Sequence, residues 1–242
     1  MGKNLVYVPE CHSTNTLAAE LSQNTGTLEG SVVVTDRQSA GRGQRGNAWE
    51  TEAGKNLTFS VILKPSFLGV TDQFNLTIVT SLAVQALLTE LLSKEVKIKW
   101  PNDILVEDKK ICGILIENSV RGDFIQHSII GIGLNVNQNS FSLKTATSMN
   151  LISNKQFDVH QLLTFLLEKL ESYYLQLRSG MRDGLLSRYL LNLYWMGEER
   201  AFEVGGQEVK GMIEGVDKAG RLIIKHPKKI QSYDLKEISF VR

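Results

Sequence analysis

The sequence has few of the features that mark specialised classes of protein. Its 242 residues include two cysteines and four histidines. Cys11 and Cys112 are far apart and lack the CxxC spacing of zinc or redox sites, so we interpret them as reduced thiols that pack in the interior. The histidines are equally scattered, which indicates no protein-built metal site. A chain of this length buries enough surface to fold without a disulfide or a structural metal.

An excess of one charge and long apolar runs are also missing. Lys and Arg number 27 against 26 Asp and Glu, which gives a formal net charge of +1. This balance argues against a general nucleic-acid coat or a membrane-surface protein, because both usually carry a basic excess. Pro9 and Glu10 interrupt the apolar N-terminus, so no secretory signal forms, and no run of 18 uncharged apolar residues predicts a membrane span. We expect a cytoplasmic protein that does not bind membranes.

Apolar periodicity predicts a mixed α and β domain followed by a small β-rich one. The expected β segments are 6–8, 31–35, 56–63, 96–99, 104–106, 111–116 and 124–136, and the expected helices are one that starts after an N-cap at Ser13, then 74–92, 159–177 and 185–194. After Gly197, closely spaced turn residues separate four or five short β runs, which is typical of a small barrel. We therefore predict two domains, 1–196 and 197–242.

The most conspicuous motif is Gly-Arg-Gly-Gln-Arg-Gly at 41–46, with Trp49 close behind. It matches the G-x-G-x-x-G pattern of dinucleotide-binding folds, but a linker separates it from the expected strand, and neither a helix nor a correctly spaced acid follows. The partner motifs of a kinase glycine loop are absent as well. We interpret it as a mobile loop whose backbone N–H groups, with Arg42 and Arg45, can hold phosphate oxygens. A solvated surface turn is the alternative.

A second motif joins two β segments. In the run Lys-Trp-Pro-Asn-Asp the proline restricts its neighbours, which holds Asp103 at the end of a β segment. Lys110 starts the return strand after an expected turn at 107–109, and period two predicts that it shares a face with Cys112 and Ile114. A lysine on an apolar face is costly unless it meets an anion. A binding role and ordinary turn chemistry both stay open for these residues.

Two further motifs carry small or polar groups. Gly131 and Gly133 alternate with apolar residues, which brings strand backbone close to a flat group, and Asn135 then offers an amide to a base or sugar. A β-bulge in a central strand is the alternative. The segment 12–15 at a helix start can hydrogen-bond a compact polar ligand, although for this segment taken alone ordinary N-capping is the favoured interpretation.

Together and in this order, these motifs resemble the biotin–protein ligase family. The matching residues, which extend over nearly the whole chain, are Ser13, Thr14, Asn15, Gln38, 41–46 with Trp49, 99–103, Lys110 with Gly113, and 131–135. The resemblance implies an α+β fold in which a mixed sheet with helices, related to class II aminoacyl-tRNA synthetases, precedes an SH3-like C-terminal barrel. It also implies that the carboxylate of biotin attacks the α-phosphate of ATP, which gives biotinyl-5′-AMP and pyrophosphate. A lysine of a biotin carboxyl carrier domain then attacks this acyl-adenylate, and AMP leaves.

The resemblance further implies roles for single residues. As catalytic residues, Arg42 and Lys110 would neutralise the biotin carboxylate and the α-phosphate, and Asp103 would orient and help to deprotonate the acceptor lysine. Besides Arg42 and Lys110, the implied biotin-binding residues are Ser13, Thr14, Asn15, Gln38, Gly41, Gly43, Gln44, Gly113 and Gly131. The implied ATP or adenylate contacts are Arg42, Arg45, Trp49, Asn102, Lys110 and Asn135. We expect Mg²⁺ to arrive with ATP, without a metal site of the protein's own.

Two departures from the family pattern bear on function. Gln44 stands where many members have arginine, with Arg45 beside it as a compensating charge. Some members also carry an N-terminal helix-turn-helix domain, whereas here the first β segment begins near residue 1, so we predict no DNA binding.

Two other functions remain as alternatives. A lipoate or octanoate ligase shares the chemistry, but the start of the glycine motif and the Trp-Pro-Asn-Asp run favour biotin. A non-catalytic vitamin or adenylate sensor is less consistent with the presence of Arg42, Lys110 and Asp103 together. The oligomeric state, including a homodimer, is left open.

Overall fold

The computed structural model describes residues 1–241, apart from the side chain of Arg45. The first seven strands are β1 Leu5–Cys11, β2 Ser31–Gln38, β3 Leu57–Leu63, β4 Val96–Lys99, β5 Asp103–Val106, β6 Lys109–Arg121 and β7 Phe124–Leu134. They form one sheet in the order β1-β2-β3-β7-β6-β5-β4. β1 pairs with β2 in parallel, and the other neighbours are antiparallel. This mixed sheet with its helices confirms the expected fold class.

The helices cover both faces of this sheet. They are α1 Thr14–Ser22, α2 Phe74–Leu92, α3 Met149–Ser153, α4 Val159–Arg178 and α5 Arg182–Leu191. On one face, Ala18 of α1 packs against a small cluster that includes Val33 and Ile62. On the other face, α2 and α4 pack against the sheet in the main core, for example through Leu82 and Leu166. Because α1 has only nine residues, it covers part of this face of the sheet, and the part beyond the helix N-terminus is left uncovered.

β3 is buried along its whole length, and its two faces differ in character. Leu57, Phe59, Val61 and Leu63 belong to the main core, which confirms the predicted face. The intervening positions include buried Thr58 and Ser60, which lie on the α1 face. Polar residues on that face of an otherwise apolar strand indicate that the open part of the sheet serves a polar ligand.

Helix α2 is the one element among residues 1–241 with enough length and apolar character to cross a bilayer. The search for uncharged runs in the sequence did not predict this. The helical segment Val70–Leu92, which includes α2, has a mean hydropathy of 1.4 over its most apolar 18 residues, and 61% of that stretch is buried inside the protein. The helix packs against both α4 and the sheet. Its hydropathy is therefore that of a core helix.

The hairpin between β5 and β6 is confirmed, with a shorter turn than expected. Glu107 and Asp108 have φ of 49° and 63°, as a two-residue turn of type I′ requires. Lys109 belongs to the strand and pairs with Val106.

A β-bulge in β6 corrects the expected direction of Lys110. The pairing with β5 skips Ile111, so Lys110 and Cys112 no longer share a face. A Cβ atom added to Gly113 would lie 3.3 Å from Lys110 Nζ, whereas Cys112 and Ile114 belong to the main core. The bulge thus turns the lysine onto the polar α1 face, where it avoids burial among apolar side chains.

The C-terminal strands are β8 Glu199–Val204, β9 Gln207–Val216, β10 Leu222–Lys225, β11 Ile230–Tyr233 and β12 Ile238–Phe240. They form a separate antiparallel sheet in the order β11-β10-β9-β8-β12. The Trp100 indole donates a 2.8 Å hydrogen bond to the Gly220 carbonyl. This bond connects the Trp-Pro-Asn-Asp turn to the C-terminal sheet.

Several predicted boundaries differ from the structure, and two of the differences have a clear tertiary cause. β2 extends to Gln38 because it keeps pairing with β1, so only two residues separate it from Gly41. The last helix ends at Leu191 because the chain after it hydrogen-bonds to β4. Ile98 N–H donates to the Asn192 carbonyl, and Tyr194 N–H donates to the Ile98 carbonyl. These bonds cover part of an edge strand that would otherwise be unpaired.

Replacing Gly184 by alanine should stabilise the protein. This glycine lies exposed within α5, and a Cβ atom there would meet nothing within 4 Å. Because alanine lowers the conformational entropy of the unfolded chain, we expect the free energy of unfolding to rise by about 0.5–1 kcal/mol. Urea denaturation measures this, and an unchanged or lower midpoint would contradict the assignment of Gly184 to a regular, exposed helical turn.

Candidate active site

A cavity of about 50 Å³ lies on the α1 face of the sheet, at the N-terminus of that helix. Most of the residues that the sequence motifs singled out line it together. They are Ser13, Thr14, Asn15, Gln38, Arg42, Gly43, Gln44, Trp49, Asn102, Lys110, Gly113 and Gly131. Segments that are separated by up to about a hundred positions in the chain therefore meet at a single place.

The start of α1 is capped from β2. Ser13 occupies the N-cap position as predicted, but its side chain makes no capping hydrogen bond. Gln38 Oε1 instead accepts from the Thr14 N–H at 2.8 Å. This bond satisfies a free helix N–H, and Ser13 remains among the residues that line the cavity.

Asn15 is held rigidly at the floor of the cavity, where it is only 3% exposed. Its Oδ1 accepts from Ser60 Oγ at 2.6 Å, and its Nδ2 donates to Glu117 Oε2 at 2.7 Å and to the Leu115 carbonyl at 3.3 Å. A Cβ atom on Gly131 would lie 2.2 Å from Asn15 Oδ1. Gly131 is therefore required to make room for the Asn15 amide.

The polar chain around Ser60 has more acceptors than hydrogens. Its oxygen–oxygen contacts are Ser60–Asn15 at 2.6 Å, Ser60–Thr14 at 2.8 Å and Thr14–Gln38 at 3.2 Å. A hydroxyl carries one hydrogen, so two hydroxyls serve three contacts. Such a chain is suited to a ligand that brings N–H donors.

The glycine-rich segment, for which the sequence predicts a mobile loop, forms a narrow hairpin in the structure. Trp49 N–H donates to the Gly41 carbonyl at 2.9 Å, and Gly43 N–H donates to Asn47 at 2.7 Å. Gln44–Gly46 forms a short 3₁₀ turn at the tip. A Cβ on Gly41 would lie 2.6 Å from the Trp49 carbonyl oxygen, so a glycine is needed for the two sides of the hairpin to approach this closely. Gly41 is not among the residues that line the cavity. The predicted contact of the Arg45 side chain lies outside the described groups.

The indole of Trp49 lies against the backbone of the sheet. Cβ atoms on Gly133 and Gly113 would lie 2.4 Å and 2.9 Å from its ring atoms, so these glycines form a slot for a flat group. The alternation of glycines predicted such a slot, which in this structure holds the protein's own indole. Trp49 Nε1 is buried without a hydrogen-bond partner. An acceptor on a ligand would remove the cost of this unpaired donor.

Two ion pairs lie at the cavity. Lys110 Nζ is 2.7 Å from Asp103 Oδ1, and Arg42 Nη2 is 3.0 Å from Glu117 Oε2. The Lys110 ammonium is also 5.5 Å from the centroid of the Trp49 ring. In the structure, Lys110 and Arg42 each form an ion pair with a carboxylate of the protein. Both can break this pair and bind the anionic groups of a substrate instead.

The two predicted asparagines have different surroundings. Asn102 lines the cavity, and its amide donates to the Ile114 carbonyl, so it holds the turn against β6. Asn135 is not among the residues that line the cavity, and its Nδ2 donates to the Thr147 carbonyl at 2.9 Å. This bond gives Asn135 a role in holding the chain before α3. Its contact with adenosine stays a prediction.

Sequence inspection missed Thr58, Ser60 and Glu117 at the site. Thr58 and Ser60 could have been found, because they alternate with apolar residues in β3. Glu117 carries no such signal, since its neighbours Asn15 and Arg42 come from distant parts of the chain.

Neither the cysteine thiols nor a cluster of metal ligands contributes to the described part of the site, which is built from amides, hydroxyls and ion pairs. Both cysteines are free, and complete burial raises the pKa of the Cys112 thiol far above its ordinary value. In the described part of the chain, no three His, Cys, Asp or Glu side chains converge as a metal site would require. A metal carried by a phosphate ligand needs no such cluster.

A larger groove of about 1280 Å³ runs beside β4 and the C-terminal sheet. Its walls include Lys94, Glu107 and Arg200, which belong to ion pairs of the protein. None of the predicted catalytic or binding residues lines it. The smaller cavity is therefore the candidate active site.

Comparisons with known proteins agree along the whole chain. The model described as Biotin/lipoate A/B protein ligase family matches residues 7–135, and that of the Biotin protein ligase C terminal domain matches residues 197–241. The Bifunctional ligase/repressor BirA of Bacillus subtilis is 36% identical over 97% of this chain and 74% of its own length. The Biotin–[acetyl-CoA-carboxylase] ligase of Paracoccus denitrificans is 30% identical over 94% of this chain and 97% of its own.

Among solved structures, the fold is similar to that of the biotin protein ligase from Aquifex aeolicus in complex with biotin and ATP. The TM-score is 0.81 with 27% sequence identity, and the match covers 99% of each chain. The expected α+β architecture is thereby confirmed.

Proposed function

Because the chain belongs to the biotin/lipoate A/B protein ligase family, we propose that it is a biotin–protein ligase that activates biotin with ATP and transfers it to a lysine of a carrier domain. The observation that carries this proposal is the convergence of both cations, the acceptor-rich polar chain and the glycine slot on one cavity. The biotin–protein ligases among its relatives and structural neighbours support the same activity.

In the first step, two anionic groups must approach each other. The carboxylate oxygen of biotin attacks the α-phosphorus of ATP, and the bond from that phosphorus to pyrophosphate breaks. Lys110 and Arg42 stand beside the cavity, where they can offset the negative charge that builds up in this transition state. Mg²⁺ supplies further neutralisation when it is bound to the phosphates of ATP.

The opposite end of the substrate meets the polar chain. The ureido group of biotin offers two N–H donors and one carbonyl acceptor, which matches the surplus of acceptors at Thr14, Asn15 and Ser60. A site built to pair a buried polar group rejects analogues that lack it. The match between the ureido N–H donors and these acceptors supports the biotin-recognition role of Ser13, Thr14, Asn15 and Gln38.

In the second step, the acceptor lysine must lose a proton before it attacks the acyl-adenylate. A lysine ammonium has an unperturbed pKa of about 10.4, so a nearby carboxylate assists. Asp103 is ion-paired to Lys110 and becomes available when Lys110 turns to the adenylate. We propose that Asp103 orients this ammonium and accepts its proton, while the amine displaces AMP.

The glycine hairpin excludes water from the intermediate. Gly43, Gln44 and Trp49 contribute to the cavity wall, so ligand binding under this hairpin shields the acyl-phosphate bond from hydrolysis. The free indole N–H of Trp49 supports a contact with the nucleotide or with its phosphate.

The proposal extends to the setting of the protein. We propose that it acts in the cytoplasm on a biotin carboxyl carrier domain, with residues 1–196 as the catalytic domain and residues 197–242 as an SH3-like domain. The net charge of +1 gives no support for nucleic-acid binding, and the proposal includes none.

Exchange of labelled pyrophosphate into ATP tests the function. With Mg²⁺ present, we expect exchange with biotin and background exchange with lipoate or without an acid, because only biotin presents the ureido group to the polar chain. Exchange with lipoate alone would keep the adenylation chemistry and overturn the substrate. Absence of exchange with either acid, in protein shown to be folded by circular dichroism, would exclude the ligase reaction and favour a binding role.

A further inference from the structure

One carboxylate oxygen connects three segments of the chain at the active site. Glu117 Oε2 accepts from Asn15 Nδ2 at 2.7 Å and from Arg42 Nη2 at 3.0 Å. Asn15 lies in the first turn of α1, Arg42 belongs to the glycine hairpin, and Glu117 lies in β6.

We propose that Glu117 is a positioning residue for biotin binding, which fixes the amide orientation of Asn15 and holds Arg42 beside the site until substrate arrives. The inference rests on the proposed function. It deepens that function by assigning a residue that acts through Asn15 rather than by contact with the reacting atoms.

The orientation of Asn15 depends on this carboxylate. The two ends of its amide differ in hydrogen-bonding character, and only one orientation points Oδ1 at the Ser60 hydroxyl. In that orientation the Nδ2 amide of Asn15 needs hydrogen-bond acceptors. It lies 2.7 Å from Glu117 Oε2 and 3.3 Å from the Leu115 carbonyl oxygen, so Glu117 is the nearer acceptor. A hydrogen bond to a charged acceptor is stronger than one between neutral groups. Glu117 therefore selects the orientation that leaves the polar chain rich in acceptors.

The ion pair with Arg42 serves a different purpose. The two side chains are 47% and 40% exposed, and an ion pair with this exposure adds little to stability. Its weakness suits a contact that must break when the carboxylate of biotin and the phosphates of ATP compete for Arg42. After that release, Glu117 Oε2 still accepts from Asn15.

Calorimetric titration of biotin, without ATP, tests the proposal independently of turnover. Glu117→Ala should raise the dissociation constant for biotin by about tenfold or more, because Asn15 loses its charged acceptor. Glu117→Gln should recover part of this loss, because glutamine keeps an oxygen acceptor for Asn15 Nδ2 but lacks the charge. The kcat of pyrophosphate exchange at saturating substrate should change much less than the dissociation constant in both variants.

Two comparisons separate positioning from a general structural effect. Glu198→Ala is the matched control, because Glu198 pairs with Arg200 at similar exposures of 52% and 46% and lies outside the site; it should leave biotin affinity unchanged. In an Asn15→Ala background, Glu117→Ala should add much less loss than it does in the wild type, because the bond to Asn15 is already absent and only the weak ion pair with Arg42 remains to be removed. Thermal unfolding of each variant confirms that the protein is folded.

The outcomes are distinguishable. Unchanged biotin affinity in Glu117→Ala, equal losses in Glu117→Ala and Glu117→Gln, or losses that multiply with Asn15→Ala would each overturn the role of Glu117 while the ligase assignment stands. Biotin binding with the expected variant pattern but no pyrophosphate exchange in the wild type would support Glu117 and overturn the ligase reaction. A wild-type protein that fails to bind biotin would overturn both.

Discussion

Replacing Lys110 by alanine is expected to lower the kcat of biotin-dependent pyrophosphate exchange by about 10²–10³-fold, the usual effect of removing one group that stabilises developing negative charge. The ammonium lies on the α1 face because of the bulge at Ile111, and it lines the cavity. Its loss would also leave Asp103, 2.7 Å away, without its cation. The remaining carboxylate would then repel both substrate anions. Steady-state exchange kinetics measure the effect.

Lys109→Ala is the matched control for this experiment. Lys109 precedes Lys110 in the same strand and is exposed, so its removal takes away the same charge without emptying the site. We expect kcat within a factor of about two of the wild type, as is usual for a surface substitution away from special features. Equal losses in the two variants would indicate a general effect of charge. Unchanged turnover in Lys110→Ala would remove Lys110 from the catalytic residues.

Replacing Gly131 by alanine should abolish most biotin binding. The added Cβ would lie 2.2 Å from Asn15 Oδ1 and 2.9 Å from its Cγ, so the amide has to move. That movement breaks its bonds to Ser60 and Glu117. Overpacking and the lost hydrogen bonds each cost about 1–3 kcal/mol, so we expect the dissociation constant for biotin to rise by at least about a hundredfold.

The same change should destabilise the protein to a smaller degree. We expect the free energy of unfolding to fall by about 1–3 kcal/mol, measured by chemical denaturation beside the titration. Gly26→Ala is the control, because a Cβ there meets nothing within 4 Å, and it should leave affinity and stability almost unchanged. Wild-type affinity in Gly131→Ala would show that the amide of Asn15 takes no part in binding.

Much of the fold and the membership of the site could be predicted from local patterns. The alternation of Leu57, Phe59, Val61 and Leu63 predicted both the strand and its core face, since strand side chains point to opposite faces in turn. The glycines at 131 and 133 predicted close approach by a flat or bulky group. The motif order also predicted that helix start, glycine segment and hairpin belong to one site.

Other features could not be read locally, because they depend on contacts between distant segments. Period two predicted the wrong face for Lys110, since a bulge adds one residue and the need for that residue arises from pairing with β5. Gln38 caps α1 across 24 positions of sequence, so its role follows from the parallel pairing of β1 with β2. The hairpin of the glycine segment was also not predicted, and the hydrogen bond from Trp49 N–H to the Gly41 carbonyl defines it. The mobility of this segment stays a prediction.

By itself, the sequence determined the residue types that biotin and ATP chemistry needs, the order of the strands and helices, and the family to which the chain belongs. These properties can be predicted from short segments, because the periodicity of side chains in strands and helices and the conformational freedom of glycine are set within a few residues. Only the tertiary structure decided which cation meets which carboxylate, why Gly131 must lack a side chain, and that Glu117 joins Asn15 to Arg42. Hydrogen bonds and ion pairs act over about 3 Å, so their partners are set by the packing of the whole sheet and not by distance along the chain.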